Sequence, residues 1–116
     1  MSILIVDDSA DDRLLLQSIL STAGYEDIVA VDSAAASFKY LGLDGGKHSS
    51  VRVDLILMDI LMPQMSGIEA CRQIKAVDRF RDTPVIMVTL KTDPVDLQLA
   101  FAAGAMDYVA KPINKI

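Results

Sequence analysis

The sequence predicts one α/β domain: a doubly wound, five-stranded parallel sheet with helices on both faces. Three observations carry that expectation. A chain of 116 residues has the size of a single domain with one core. Hydrophobic residues make up 52% and charged residues 23%, too apolar and too weakly charged for a disordered chain. Strand-like apolar runs alternate with stretches of helical period, as in βα units around a sheet buried on both faces.

In chain order, residues 2–7 (SILIVD) form the first strand-like run. Leu16, Ile19, Leu20 and Ala23 then recur on one helical face behind a cap at Ser9, and Gly24 supplies a left-handed stop. Residues 28–31 read as strand two, and Ser33 caps a short helix through Leu41. Residues 42–52 hold Gly45-Gly46 and Ser49-Ser50 and read as a polar surface insertion. Strand three is 54–59, followed by Ser66 with Glu69 as a capping box for a helix burying Ile68, Cys71 and Ile74. Strand four is 84–89. Asp93-Pro94 opens the next helix, Gly104 closes it, and 107–110 form strand five. The sequence runs five residues past Lys111. A last covering helix is therefore expected to be missing or truncated, with residues 1–116 as the N-terminal part of a longer protein.

The longest apolar stretches, around Leu55 to Met58 and Val85 to Val88, fall far short of the roughly 20 residues of a membrane span. A single Cys71 forms no internal disulfide, which favours the cytoplasm. Net charge is -5 with no basic cluster, so this domain is not expected to bind nucleic acid. Among 16 acidic residues only Glu26 and Glu69 are glutamates. Aspartate is a poor helix former but a good cap and a good ligand for hard cations.

In an open parallel sheet, ligands bind beyond the carboxyl ends of the strands. Those ends carry Asp7-Asp8, Asp59, Thr89 and, one residue past strand five, Lys111. Each alone is more simply a turn or cap residue, but their convergence on one rim is not explained that way. Close carboxylates repel by roughly 4 kcal/mol for a 4 Å pair at an effective dielectric of about 20, so the cluster calls for a cation. Oxygen ligands without paired His or Cys favour Mg²⁺, and the glycine and glutamate of a calcium EF-hand loop are absent. Carboxylate, divalent ion, hydroxyl and ammonium together suit phosphoryl transfer, with Asp59 as nucleophile and Thr89 and Lys111 holding phosphoryl oxygens. Cys71 and the six methionines read as core, and His48 as a solvated loop residue.

The stretches Ile5-Val6-Asp7-Asp8-Ser9, 54–63 (DLILMDILMP), Met65-Ser66-Gly67, 84–89 (PVIMVT) and 104–112 (GAMDYVAKP) resemble, in order and spacing, the response-regulator receiver domain of two-component signalling. The resemblance covers essentially the whole chain and implies a flavodoxin-like strand order 2-1-3-4-5. It implies that Asp59 accepts phosphate from a histidine kinase or phosphotransfer protein and passes the signal to an output domain or effector. By resemblance, Asp8, Asp59 and the Leu61 backbone carbonyl ligate Mg²⁺, with Asp7 acting mainly through water. Thr89 and Lys111 read the phosphate, Tyr108 is the aromatic switch, and the Lys111-Pro112 bond is cis.

Leu90 stands where the family usually has a small residue, and Leu61 and Lys91 occupy positions that in relatives influence water access. Slow phosphorylation by small donors and a persistent phosphorylated state are expected. On the fourth helix, either Leu97 with Phe101 or Val95 with Leu99 should face the sheet, leaving the other near Tyr108 as a partner or homodimer surface. One alternative is a degenerate receiver that binds partners without phosphorylation. A phosphatase of the haloacid-dehalogenase type would need a second Asp where Leu61 stands.

Overall fold

Strands two residues in period but aliphatic at every position must be covered on both sides, and that requirement organises this chain. The computed structural model describes residues 1–43 and 51–113. Its strands are β1 (Ser2–Val6), β2 (Asp27–Val31), β3 (Leu55–Met58), β4 (Val85–Thr89) and β5 (Asp107–Ala110). All neighbours run parallel in the order β2-β1-β3-β4-β5, the order the resemblance implies. Alternation splits the aliphatic runs between two cores. Leu4, Val6, Ile56, Met58, Val85 and Met87 point to one face, and Ile3, Ile5, Leu57 and Val88 to the other.

Four helices connect the strands: α1 (Ala10–Thr22), α2 (Ala34–Leu41), α3 (Gly67–Lys75) and α4 (Pro94–Ala102). Three start as the sequence indicates. The hydroxyls of Ser9, Ser33 and Ser66 accept from the backbone N–H of Asp12, Ala36 and Glu69, satisfying groups that have no partner within the helix. At α4 the Asp93 side chain makes no cap bond and pairs with Lys91 instead. The Glu69 side chain binds Arg72 and Gln73, so only half of the expected capping box forms. Gly24 and Gly104 take the positive φ values that end α1 and α4. A three-residue 3₁₀ helix, Asp78–Phe80, plugs Phe80 into the larger core.

Cys71 is buried, as expected, with its thiol donating to the Ala103 carbonyl, and burial pushes its pKa up to about 11. One expectation is corrected. Neither apolar pair of α4 faces the sheet as a pair: Ala100 is buried and Leu97 half-buried, while Val95, Leu99 and Phe101 are exposed. The small alanine lets the helix lie close, and Leu97 is the one larger apolar side chain of α4 that is partly covered. β5, the edge strand, is exposed at every residue. Most of the expected insertion, including His48, lies outside the described residues. No helix among the described residues is long and apolar enough to cross a membrane.

Candidate active site

Parallel register brings the strand ends together. Asp59 N–H donates to the Val6 carbonyl, Asp7 N–H to Val31, and Lys111 N–H to Thr89, so β1, β3, β4 and β5 deliver their following residues to one rim. Gly67 locks the turn after β3. Its N–H donates to the Ile60 carbonyl, and a Cβ there would sit 1.9 Å from the Asp59 carbonyl oxygen.

Asp7, Asp8 and Asp59 each place a carboxylate oxygen within 4.8 Å of the other two, Asp7 and Asp59 buried and Asp8 exposed. Lys111 closes the nest. Its Nζ lies 2.9 Å from both Asp7 Oδ2 and Asp59 Oδ2, and 2.7 Å from Asp12 Oδ2. Burial opposes charge on that amine, but hydrogen bonds to Asp12, Asp7 and Asp59 outweigh it and hold the ammonium above its ordinary range. Burial likewise raises Asp7, against the Lys111 bond and the Ser9 N–H, with the Asp59 charge adding to the rise.

The donor set fits a small hard cation. Asp7 Oδ2 is buried and, among the described residues, meets no donor other than the Lys111 ammonium at 2.9 Å, and an oxygen so little committed is suited to a metal. Asp59 Oδ1 accepts the Leu61 N–H at 3.1 Å, which folds the residues after β3 back over the nest.

Thr89 is fully buried at the end of β4, and its hydroxyl oxygen accepts the Lys91 N–H at 3.0 Å. The Lys91 ammonium pairs with Asp93 and Asp96 at the start of α4. Tyr108 is 39% exposed and packs edge-on against Phe101, with ring centroids 6.4 Å apart. The Lys111–Pro112 peptide is cis. Asp7, Asp8, Asp59, Thr89 and Lys111 thus occupy the carboxyl edge, with Tyr108 on its flank. Asp12 was not singled out; its position in a first helical turn reads as an ordinary dipole-favoured acid, and only the fold brings it to Lys111.

An acidic nest with one ammonium at the carboxyl edge of a 2-1-3-4-5 parallel sheet defines a flavodoxin-like α/β protein whose aspartates are grouped closely enough to hold a metal ion. Within that class the chain belongs to the response regulator receiver domain family, whose model it matches over residues 3–116. The two-component response regulator ORR1 of Oryza sativa subsp. japonica is 37% identical over 116 residues, covering 97% of this chain and 49% of the relative. The chain spans about half the length of the rice regulators it matches. The chemotaxis protein CheY4 of Vibrio cholerae superposes with a TM-score of 0.86 at 29% identity, over 97% of this chain and 88% of that one. A receiver domain of a Pseudomonas aeruginosa sensor histidine kinase, solved with magnesium coordinated in its active-site cleft, gives 0.81 at 28% identity, over 97% and 86%. Family membership places the chain in phosphorylation-dependent two-component signalling.

Proposed function

We propose that this chain is a phosphorylation switch in which Asp59 takes a phosphoryl group from the phosphohistidine of a histidine kinase or phosphotransfer protein. An Asp59 carboxylate oxygen attacks phosphorus, the phosphorus–nitrogen bond breaks, and the imidazole leaves with the electron pair. Asp7, Asp8, Asp59 and the Leu61 carbonyl are the groups that would hold Mg²⁺, which when bound supplies charge neutralisation at the phosphoryl oxygens. Lys111 donates to one phosphoryl oxygen and the Thr89 hydroxyl to another, positioning and neutralising rather than moving protons. The observation that carries this reading is the Lys111 ammonium, 2.9 Å from Asp59 and held inside a nest of three aspartates.

A phosphate adds about -1.5 to -2 charge and three strong acceptors. As Thr89 turns toward it, the bond to Lys91 is strained, and Lys91 is tied to the first turn of α4 through Asp93 and Asp96. Tyr108 and α4 move with that loop and present a changed face to an output domain, an effector or a second copy of the chain. The test is beryllofluoride, a phosphoryl mimic, added with Mg²⁺ to the folded chain. A change in Tyr108 fluorescence or mobility that Asp59→Asn abolishes supports the reading. A change that survives Asp59→Asn, or no change in the parent, overturns it.

A further inference from the structure

Asp12 occupies the third position of α1, where an acid ordinarily reaches back to the N-cap backbone N–H. Here that N–H, on Ser9, donates to Asp7 Oδ1 at 2.9 Å. The Asp12 carboxylate turns instead across the edge of the sheet to Lys111, 99 residues away in sequence, at 2.7 Å. That is the shortest of the three contacts of this ammonium, ahead of Asp7 and Asp59 at 2.9 Å each.

An ammonium has three N–H donors, and three carboxylates claim them. Two of the claimants, Asp7 and Asp59, belong with Asp8 to the group whose oxygens lie within 4.8 Å of one another, whereas Asp12 does not. When Asp7 and Asp59 commit oxygens to a cation and to phosphorus, Asp12 is the partner that keeps its hold on Lys111. Without it, a long flexible side chain has no fixed anchor on the α1 side.

Resting on the assignment of Asp59 as phosphoacceptor, we propose that Asp12 is a positioning residue that anchors Lys111 from helix α1 and aims the remaining N–H groups at the phosphoryl oxygen. The experiment titrates the parent, Asp12→Ala, Asp12→Asn and Asp11→Ala with Mg²⁺ alone and then with beryllofluoride in saturating Mg²⁺. Asp12→Ala is expected to raise the half-saturating beryllofluoride concentration about tenfold, as for one charge-assisted hydrogen bond, while the Mg²⁺ dissociation constant stays within about twofold. Asp12→Asn keeps an acceptor oxygen and recovers most of the loss. Asp11→Ala, which removes the same charge from the same helical turn, leaves both constants unchanged.

A second readout follows the Lys111 ammonium by ¹⁵N NMR without any ligand. Its hindered signal, assigned by its loss in Lys111→Arg, broadens in Asp12→Ala. Asp12→Ser, too short to reach Lys111 but favourable in a first helical turn, replaces Asp12→Ala should that protein not fold. A folded variant with unchanged beryllofluoride affinity overturns the inference, as does an equal loss of Mg²⁺ affinity. A parent that does not bind beryllofluoride overturns the Asp59 reading instead.

Discussion

At the junction of β1 and β3 the polar groups are held from several directions, whereas along α4 and β5 large apolar side chains stand in solvent. Asp59 is fixed by its own backbone N–H to Val6, by the Leu61 N–H and by Lys111, and the turn beside it tolerates no Cβ at residue 67. Val95, Leu99, Phe101, Met106, Tyr108 and Val109 are all more than a third exposed. Under the proposed function Asp59 meets an incoming phosphorus, and such a group gains from a fixed geometry. A surface that reports the event must shift, and elements with few buried contacts open at low free energy. The two regions share Thr89, buried at the end of β4 with Lys91 on its hydroxyl, so an event in one reaches the other through a short path.

The largest effect that sharpens this comparison comes from two glycines, one in each region. Gly67→Ala drives a methyl against the Asp59 backbone, which cannot yield locally, and is expected to destabilise by about 3 kcal/mol. Gly104→Ala meets only the flexible Lys75 side chain at 2.9 Å. Its cost comes from the positive φ of 111° and is expected to be about 1–2 kcal/mol. Denaturant midpoints of the two variants measure the difference. Equal losses would mean that the α4–β5 flank is packed as rigidly as the site.

A smaller effect of opposite sign is expected at the nest itself. Asp8 is the exposed member of three crowded carboxylates, so Asp8→Asn removes repulsion without unburying anything. In chelator the variant should be more stable by about 0.5–1 kcal/mol, the usual bargain between a site and its scaffold. Mg²⁺ at a hundredfold its Kd should add about 2–3 kcal/mol to the parent and less to the variant. The buried Asp7 adds a pH dependence of its own. Its raised pKa means the folded state binds that proton more tightly, so its share of stability is present below the ordinary carboxylate range. That share is lost as pH rises through the raised value. Chelated protein that is destabilised by Asp8→Asn at neutral pH would show that the nest is not under electrostatic load.

Much of this arrangement was legible before the fold was known, for reasons that differ by residue. Ser9, Ser33 and Ser66 act locally, so their capping role follows from sequence alone, as do the left-handed glycines 24 and 104. Asp7, Asp59, Thr89 and Lys111 were readable because parallel strands end on the same side, which turns chain positions into one place. Asp12 was not, since its partner is fixed by tertiary approach and nothing in its neighbourhood in sequence distinguishes it from Asp11. The exposure of α4 escaped periodicity because two apolar stripes compete there and the helix buries a third, alanine-lined face. The helix at Asp78–Phe80 is too short to show any period.

The smallest effect belongs to the border between the two regions. Leu90 follows the buried Thr89 directly yet is 66% exposed, so its side chain occupies the rim and not the interior of the nest. From the rim it can screen a phosphoryl group from water and from small donors only by partial coverage. Leu90→Ala is therefore expected to speed loss of phosphate from Asp59 by about two- to threefold, which corresponds to under about 1 kcal/mol of barrier. Phosphorylation by a small donor such as acetyl phosphate should quicken by a similar factor, because both reactions cross the same opening. Stability should not change, since little apolar surface is lost from the core. Decay of labelled phosphoprotein, followed beside the parent, measures the first rate. Identical decay would place the control of lifetime within the nest, leaving Leu90 as part of the exposed apolar flank that begins at α4.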